Sequence, residues 1–129
     1  MQPRLGPAQL SHPEEYAQII NELKAAGVDI DYRAGSLAYS PAKGGPGKMV
    51  LDPDASIGAL RHEYQHFLDI QAAEFPGLGA CYKDLPEFAR VEVRGYLREI
   101  ATARQTGHAD LVPKIVEQMR ARVKEVLGR

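Results

Sequence analysis

With 129 residues the chain is long enough for one domain with a real apolar core and too short for two independent ones. Lys and Arg number 16 against 17 Asp and Glu, a net charge of −1, so the chain carries no basic footprint of the kind that nucleic acid or an anionic membrane selects. Cys81 stands alone, which rules out an internal disulfide and a multi-cysteine zinc knuckle, and no run approaches the roughly 20 apolar residues of a membrane span.

Residues 1–10 lack the basic-then-apolar layout of a secretory signal, so the expectation is a soluble protein, cytoplasmic or a domain of a larger exported polypeptide. Ser11-His12-Pro13-Glu14 reads as a capping box opening a helix, with Tyr16, Ile19, Ile20 and Leu23 at helical spacing and Gly27 just past its end. Val28, Ile30 and Tyr32 alternate with Asp29, Asp31 and Arg33, the period of a strand with one face on a core. A second short strand is predicted at Leu37–Tyr39. Residues 41–47, with two prolines and three glycines, read as a loop, and Lys48–Leu51 as a third strand ended by Asp52-Pro53.

Asp54 or Ser56 can cap the next helix, which is expected to run to about Ala73. Gly77 and Gly79 break the chain after Pro76. A third helix is predicted from about Pro86 to Gln105, and Gly107 ends it. Asp110 can cap a last helix with an apolar stripe of Val112, Ile115, Val116, Met119, Val123, Val126 and Leu127. No internal repeat or low-complexity tail is present.

The chemistry lies in His62-Glu63-Tyr64-Gln65-His66. Two histidines four residues apart on a helix lie about 400° apart around its axis, one turn up on the same side, so both imidazoles can converge on one ion. Glu63 projects about 100° from His62, close enough to hold a metal-bound water without being a ligand. Helical projection puts Ile57, Leu60, Tyr64, Phe67 and Leu68 in one arc and His62, His66 and Asp69 nearly opposite, so one face packs while the other can hold metal. Neutral imidazole and carboxylate ligands in an open tetrahedral site suit Zn2+, one ion per chain.

A catalytic zinc needs a third protein ligand. Neither His12 nor His108 stands in a ligand motif. Asp69 is seven residues beyond His62, a rise of about 10 Å, too far for a ligand, and is assigned to orienting His66. On the third helix Glu92 sits inside an apolar stripe of Phe88, Ala89, Tyr96, Ile100 and Ala103, where a carboxylate is costly unless it is paired or bound to metal. Glu87 points away with Arg90, Arg94 and Arg98. Glu92 is therefore the leading third ligand. Glu99, two turns on, is the alternative ligand or a hydrogen-bond partner for a histidine, and Gly95 leaves room for close approach of the histidine helix.

His62-Glu63-x-x-His66 followed by a glutamate on a later helix resembles the zincin metallopeptidases of the glutamate-zincin type over residues 48 to 104. Val93-Arg94-Gly95 after Glu92 departs from that family's usual motif, in which a small or further acidic residue is common. The Asp-Pro-Asp-Ala-Ser lead-in at residues 52–56 and the small size look most like the zincin-like toxin domains at the C-terminal ends of bacterial polymorphic toxins. The resemblance implies an α+β fold of minimal zincin type. In it an N-terminal helix and a small twisted three-stranded sheet pack on the HExxH helix, followed by a glutamate helix and a C-terminal helix.

The activity expected is peptide-bond hydrolysis, with Glu63 as general base and Tyr82 or Tyr96 as a donor to the oxyanion. A peptide or protein substrate is expected to add as a strand to a sheet edge, with Leu37–Tyr39 and Lys48–Leu51 as candidates. A toxic effector would also have a neutralising partner protein. The competing reading is a catalytically silent interaction module on the same fold, against which the intact Glu63 argues.

Overall fold

A computed structural model describes residues 6–73 and 84–128. The chain has the α+β architecture expected of it, in the expected order. Two helices, α1 (Ala8–Ser11) and α2 (Pro13–Ala25), precede strands β1 (Asp29–Tyr32), β2 (Ala38–Ala42) and β3 (Gly45–Leu51); helices α3 (Ile57–Ala72), α4 (Leu85–Gln105) and α5 (Val112–Leu127) follow. The sheet order is β1-β3-β2, with β1 parallel and β2 antiparallel to β3.

The amino terminus departs from the capping-box expectation. The Ala8 amide donates to the Ala55 carbonyl at 2.8 Å, docking the chain beside the start of α3, and residues 8–11 already coil there as α1. Ser11 therefore closes α1, and His12 takes the N-cap position of α2 with no side-chain capping bond. At the other end, α5 begins from Leu111 through a short 3₁₀ turn (Ala109–Leu111), so Asp110 is not its N-cap.

The glycine- and proline-rich segment is a hairpin rather than a loop. β2 continues to Ala42, β3 starts at Gly45, and Lys43-Gly44 form a two-residue turn in which Gly44 takes φ +72°, the left-handed conformation such turns require. Pro41 is tolerated because the register shifts between Ser40 and Ala42 on an edge strand, where no ladder donor is needed. Pro46 precedes the stretch of β3 that pairs with β1, which begins at Lys48. Tyr32 is 49% exposed, so β1 turns Ile30 but not Tyr32 toward the core.

The core falls into two apolar clusters. The larger joins α1, α2 and the sheet to one face of α3, through Ile20, Leu23, Met49, Leu51, Ile57, Leu60 and Phe67. The smaller joins α4 to α5 through Ile100, Ala103 and Ile115, and the outer part of the α5 stripe (Met119, Val123, Val126, Leu127) is only half-buried. Between them α3 packs along α4. That interface carries polar side chains: His62, His66, Glu99 and Thr102 are buried there, and Arg61 reaches across to the Thr102 hydroxyl at 3.0 Å.

Candidate metal centre

The Ser56 hydroxyl accepts the Ala59 amide at 3.1 Å and starts α3 in the register that turns Leu60 and Phe67 to the sheet and His62 and His66 to α4. His62 and His66 are each only 8% exposed because α4 lies across them. Close approach is possible at Gly95: a β-carbon there would lie 2.7 Å from Cδ2 and Nε2 of His62 and 2.9 Å from Cε1 of His66. Gly95 is thus the gap into which the two rings fit.

The two Nε2 atoms lie 3.1 Å apart, within hydrogen-bond reach of each other and of one shared point. Two nitrogens bound to one tetrahedral zinc at its usual bond length stand roughly 3.3 Å apart, so the pair already has the spacing of two ligands of a single ion. His62 Nδ1 donates to Glu99 Oε2 at 2.7 Å in a buried contact, which fixes the tautomer and leaves the Nε2 lone pair facing the same point. His66 Nδ1 is buried with no hydrogen-bond partner among the described residues. Glu92 Oε1 lies 3.6 Å from His66 Nε2, and Glu63 Oε2 lies 3.9 Å from His62 Nε2. His62, Glu63 and His66 form a group that can hold a metal ion, with one ligand atom from each within 4.8 Å of the others.

The charges agree with that use. Glu63 and Glu92 lie beside this point and Glu99 behind the His62 ring, and among the described residues the guanidinium in contact with these carboxylates is that of Arg122, whose Nε donates to Glu92 Oε2 at 3.1 Å. That formal excess of two negative charges in a largely dry site is what a divalent cation neutralises. Burial raises the Glu63 pKa above the usual carboxylate range; His62 and the Tyr39 amide oppose this, while Glu92 and Glu99 add to it. Burial opposes a charge on His62, but the Glu99 hydrogen bond and the charges of Glu63, Glu99 and Glu92 outweigh it and raise its pKa. Burial, then the charges of His62, Arg122 and Arg94, push His66 down to about 3, so its ring is neutral at neutral pH, the form that binds metal.

This arrangement sets an acid dependence. In the unfolded chain His66 takes up a proton near pH 6.5, in the folded one only near pH 3, so the unfolded state binds more protons in between and stability falls as pH falls. His62, with its raised pKa, acts in the opposite sense and in another window, losing its contribution as pH rises above 6.5. Thermal unfolding of chelator-treated protein is therefore expected to shift to lower temperature from pH 6.5 toward pH 3, and less steeply for His66→Gln. Superimposable curves would show that His66 is not held neutral by burial.

Compared with known proteins, the chain matches no protein family, no curated protein and no solved structure.

Of the residues singled out in the sequence, His62, Glu63, His66, Glu92, Glu99 and Tyr96 are brought together; the Tyr96 ring meets His62 edge-on at a centroid distance of 4.5 Å. Glu99 takes the place of hydrogen-bond partner to His62. Asp69 does not orient His66: its Oδ2 accepts Arg94 Nε at 3.0 Å and its Oδ1 accepts Gln65 at 3.3 Å, because α4 leans its arginines against that flank of α3. Tyr82 lies outside the described residues. Lys48–Leu51 is no sheet edge, since β3 is central there.

Two features escaped the sequence reading. Arg122 reaches the site from α5, 30 residues from Glu92. The Tyr39 amide donates to Glu63 Oε1 at 2.9 Å, so it points away from β3 toward the outer edge of β2. Two clefts, of about 350 and 550 Å3, meet at His62, Glu63, Tyr96 and Arg122. The smaller is walled by Ile70, Phe88 and Val91, the larger by polar groups that include Gln118 and Glu125. Among the described residues no helix is long and apolar enough to cross a membrane.

Proposed function

We propose that the protein is a zinc-dependent peptidase in which His62, His66 and Glu92 hold the ion and Glu63 handles the proton. The observation that carries this reading is the pair of Nε2 atoms 3.1 Å apart, with Glu63 beside one and Glu92 beside the other. When bound there, zinc supplies Lewis acidity, drawing the pKa of a coordinated water toward neutrality and polarising a carbonyl.

The protein's own groups supply the rest. Glu63, with a raised pKa, accepts a proton as water attacks the scissile carbonyl and returns it to the departing amine nitrogen, so the carboxylate ends as it began. The Tyr39 amide anchors its other oxygen, which limits its rotation. Tyr96, packed on His62 at the junction of the clefts, is the candidate donor to the oxyanion. The sheet edge that borders these groups is the outer side of β2, where Ala38, Tyr39 and Pro41 line the smaller cleft; an extended peptide laid there would meet a Tyr39 amide already bonded to Glu63 and a proline without an amide hydrogen, so its ladder pairing would be partial.

The direct test is elemental analysis of the purified protein and of His66→Ala, followed by incubation of both with a mixed peptide library. About one zinc per parent chain and cleavage by the parent alone is the expected result. A parent chain that stays metal-free after reconstitution, or a zinc-loaded one that leaves every peptide intact, would sink the peptidase reading.

A further inference from the structure

The C-terminal helix enters the site through one charged side chain, and its contacts give it a definite task. Among the described residues Arg122 makes two contacts across to α4, Nε to Glu92 Oε2 at 3.1 Å and the guanidinium plane over the Phe88 ring at 5.7 Å, and one within α5, Nη1 to Glu125 Oε1 at 2.6 Å. They are not equivalent. The Glu125 side chain is 71% exposed, and ion pairs in that setting contribute little. The Glu92 side chain is 12% exposed, and Phe88 lies one turn before it on α4, so ring and carboxylate together form the seat on which the guanidinium rests.

A glutamate reaches a metal through a terminal torsion that is broad and two-fold, so an untethered carboxylate can offer one oxygen, the other or both. Arg122 occupies Oε2. That leaves Oε1, 3.6 Å from His66 Nε2, as the oxygen turned to the histidines.

We infer that Arg122 is a positioning residue that locks Glu92 as a one-oxygen ligand, so that α5 completes the metal site without touching the ion. This rests on the metal-centre reading above. The guanidinium is suited to the task where an ammonium is not: it is planar, it rests on an aromatic face and carries its donors in a fixed fork. A positive charge so near a cation site is otherwise unfavourable, and its pairing with Glu92 is what makes it compatible with the ion.

Affinity for zinc, measured by competition with a chromophoric chelator, and the visible spectrum of the cobalt(II)-loaded protein, which reports coordination geometry, test the assignment without any activity assay. Arg122→Ala is expected to bind zinc roughly ten- to a hundred-fold more weakly than the parent, the usual effect of removing a partner of a metal ligand, with an altered cobalt spectrum. Arg122→Lys should recover part of the affinity, and Glu125→Gln should match the parent. In a Glu92→Ala background, Arg122→Ala should cost nothing further, because the two side chains act as one unit.

Parental affinity and spectrum in Arg122→Ala, tighter binding in it, or an undiminished effect of the substitution without Glu92 would each overturn the inference. Should Arg122→Ala not fold by circular dichroism, Arg122→Lys and Arg122→Gln carry the same comparison. A parent that binds no metal at all refutes the metal centre itself, an outcome distinct from a parent that binds metal with or without Arg122.

Discussion

Gly95→Ala is expected to lower zinc affinity by at least roughly 100-fold, the upper end of what losing a ligand's supporting partner does, while leaving the helices intact. The added β-carbon would sit 2.7 Å from two ring atoms of His62 and 2.9 Å from one of His66, all shorter than real side chains tolerate. These atoms belong to rigid rings, and His62 is held on its other side by Glu99, so neither can swing aside as a long flexible chain would. Either the rings turn away from each other or α4 backs off from α3. Local conformation argues the other way. Position 95 is helical and buried, and alanine is favoured over glycine in a helix interior by about 1 kcal/mol, which partly offsets an overpacking strain of about 1–3 kcal/mol. The metal-free protein should therefore lose only about 0–2 kcal/mol of stability, a fall of at most roughly 10 °C in unfolding temperature, while metal binding is lost, a combination that separates a damaged site from a damaged fold. Parental zinc affinity in Gly95→Ala would mean that the imidazoles do not meet as described.

Glu63→Gln should abolish most hydrolysis and keep the metal. Glutamine has the same shape, and its carbonyl oxygen can still accept the Tyr39 amide, so the side chain stays in place between hairpin and histidines. What it loses is the ability to carry a proton from water to the leaving nitrogen, a step worth roughly 10²- to 10⁴-fold in rate. Zinc content and affinity are expected to stay close to parental, since Glu63 is assigned to the proton and Glu92 to the ion. Equal turnover by Glu63→Gln and the parent would remove Glu63 from the chemistry. Loss of zinc in Glu63→Gln would instead make Glu63 a ligand, a role for which its Oε2, 3.9 Å from His62 Nε2, is already near enough to be tested.

The parts legible in the sequence are those governed by periodicity along one helix. The four-residue spacing of His62 and His66 fixes their common face whatever surrounds them. On α4 the placing of Glu92, Gly95 and Glu99 near one face anticipated what meets α3, and a carboxylate within an apolar stripe flagged Glu92. What stayed hidden depends on how elements lie against each other. Arg122 is one of several basic residues on an amphipathic helix, and nothing in its neighbourhood says that α5 crosses α4 at Phe88 and Glu92. Asp69 faces as projected, yet Arg94 and Arg98, assigned to the far side of α4, reach the flank of α3, because long side chains wrap around a helix further than their Cβ directions suggest. The hairpin is not legible in the sequence because prolines and glycines ordinarily break strands, and only the pairing shows that they fall at a bulge, a tight turn and beyond the reach of β1.

The bond from the Tyr39 amide to Glu63 links the hairpin to the chemistry. Gly47, at φ +83°, lets β3 pass within contact distance of the Ser40 carbonyl and the Tyr39 hydroxyl, and that hydroxyl donates to the Pro46 carbonyl at 2.6 Å. Glu63 is therefore held from the sheet, while the His62 ring beside it is held from α4 by Glu99. Under the proposed function, a peptide laid along β2 would compete with Glu63 for the Tyr39 amide and leave the Glu99–His62 bond untouched, so occupancy of the edge and the aim of the carboxylate would be coupled.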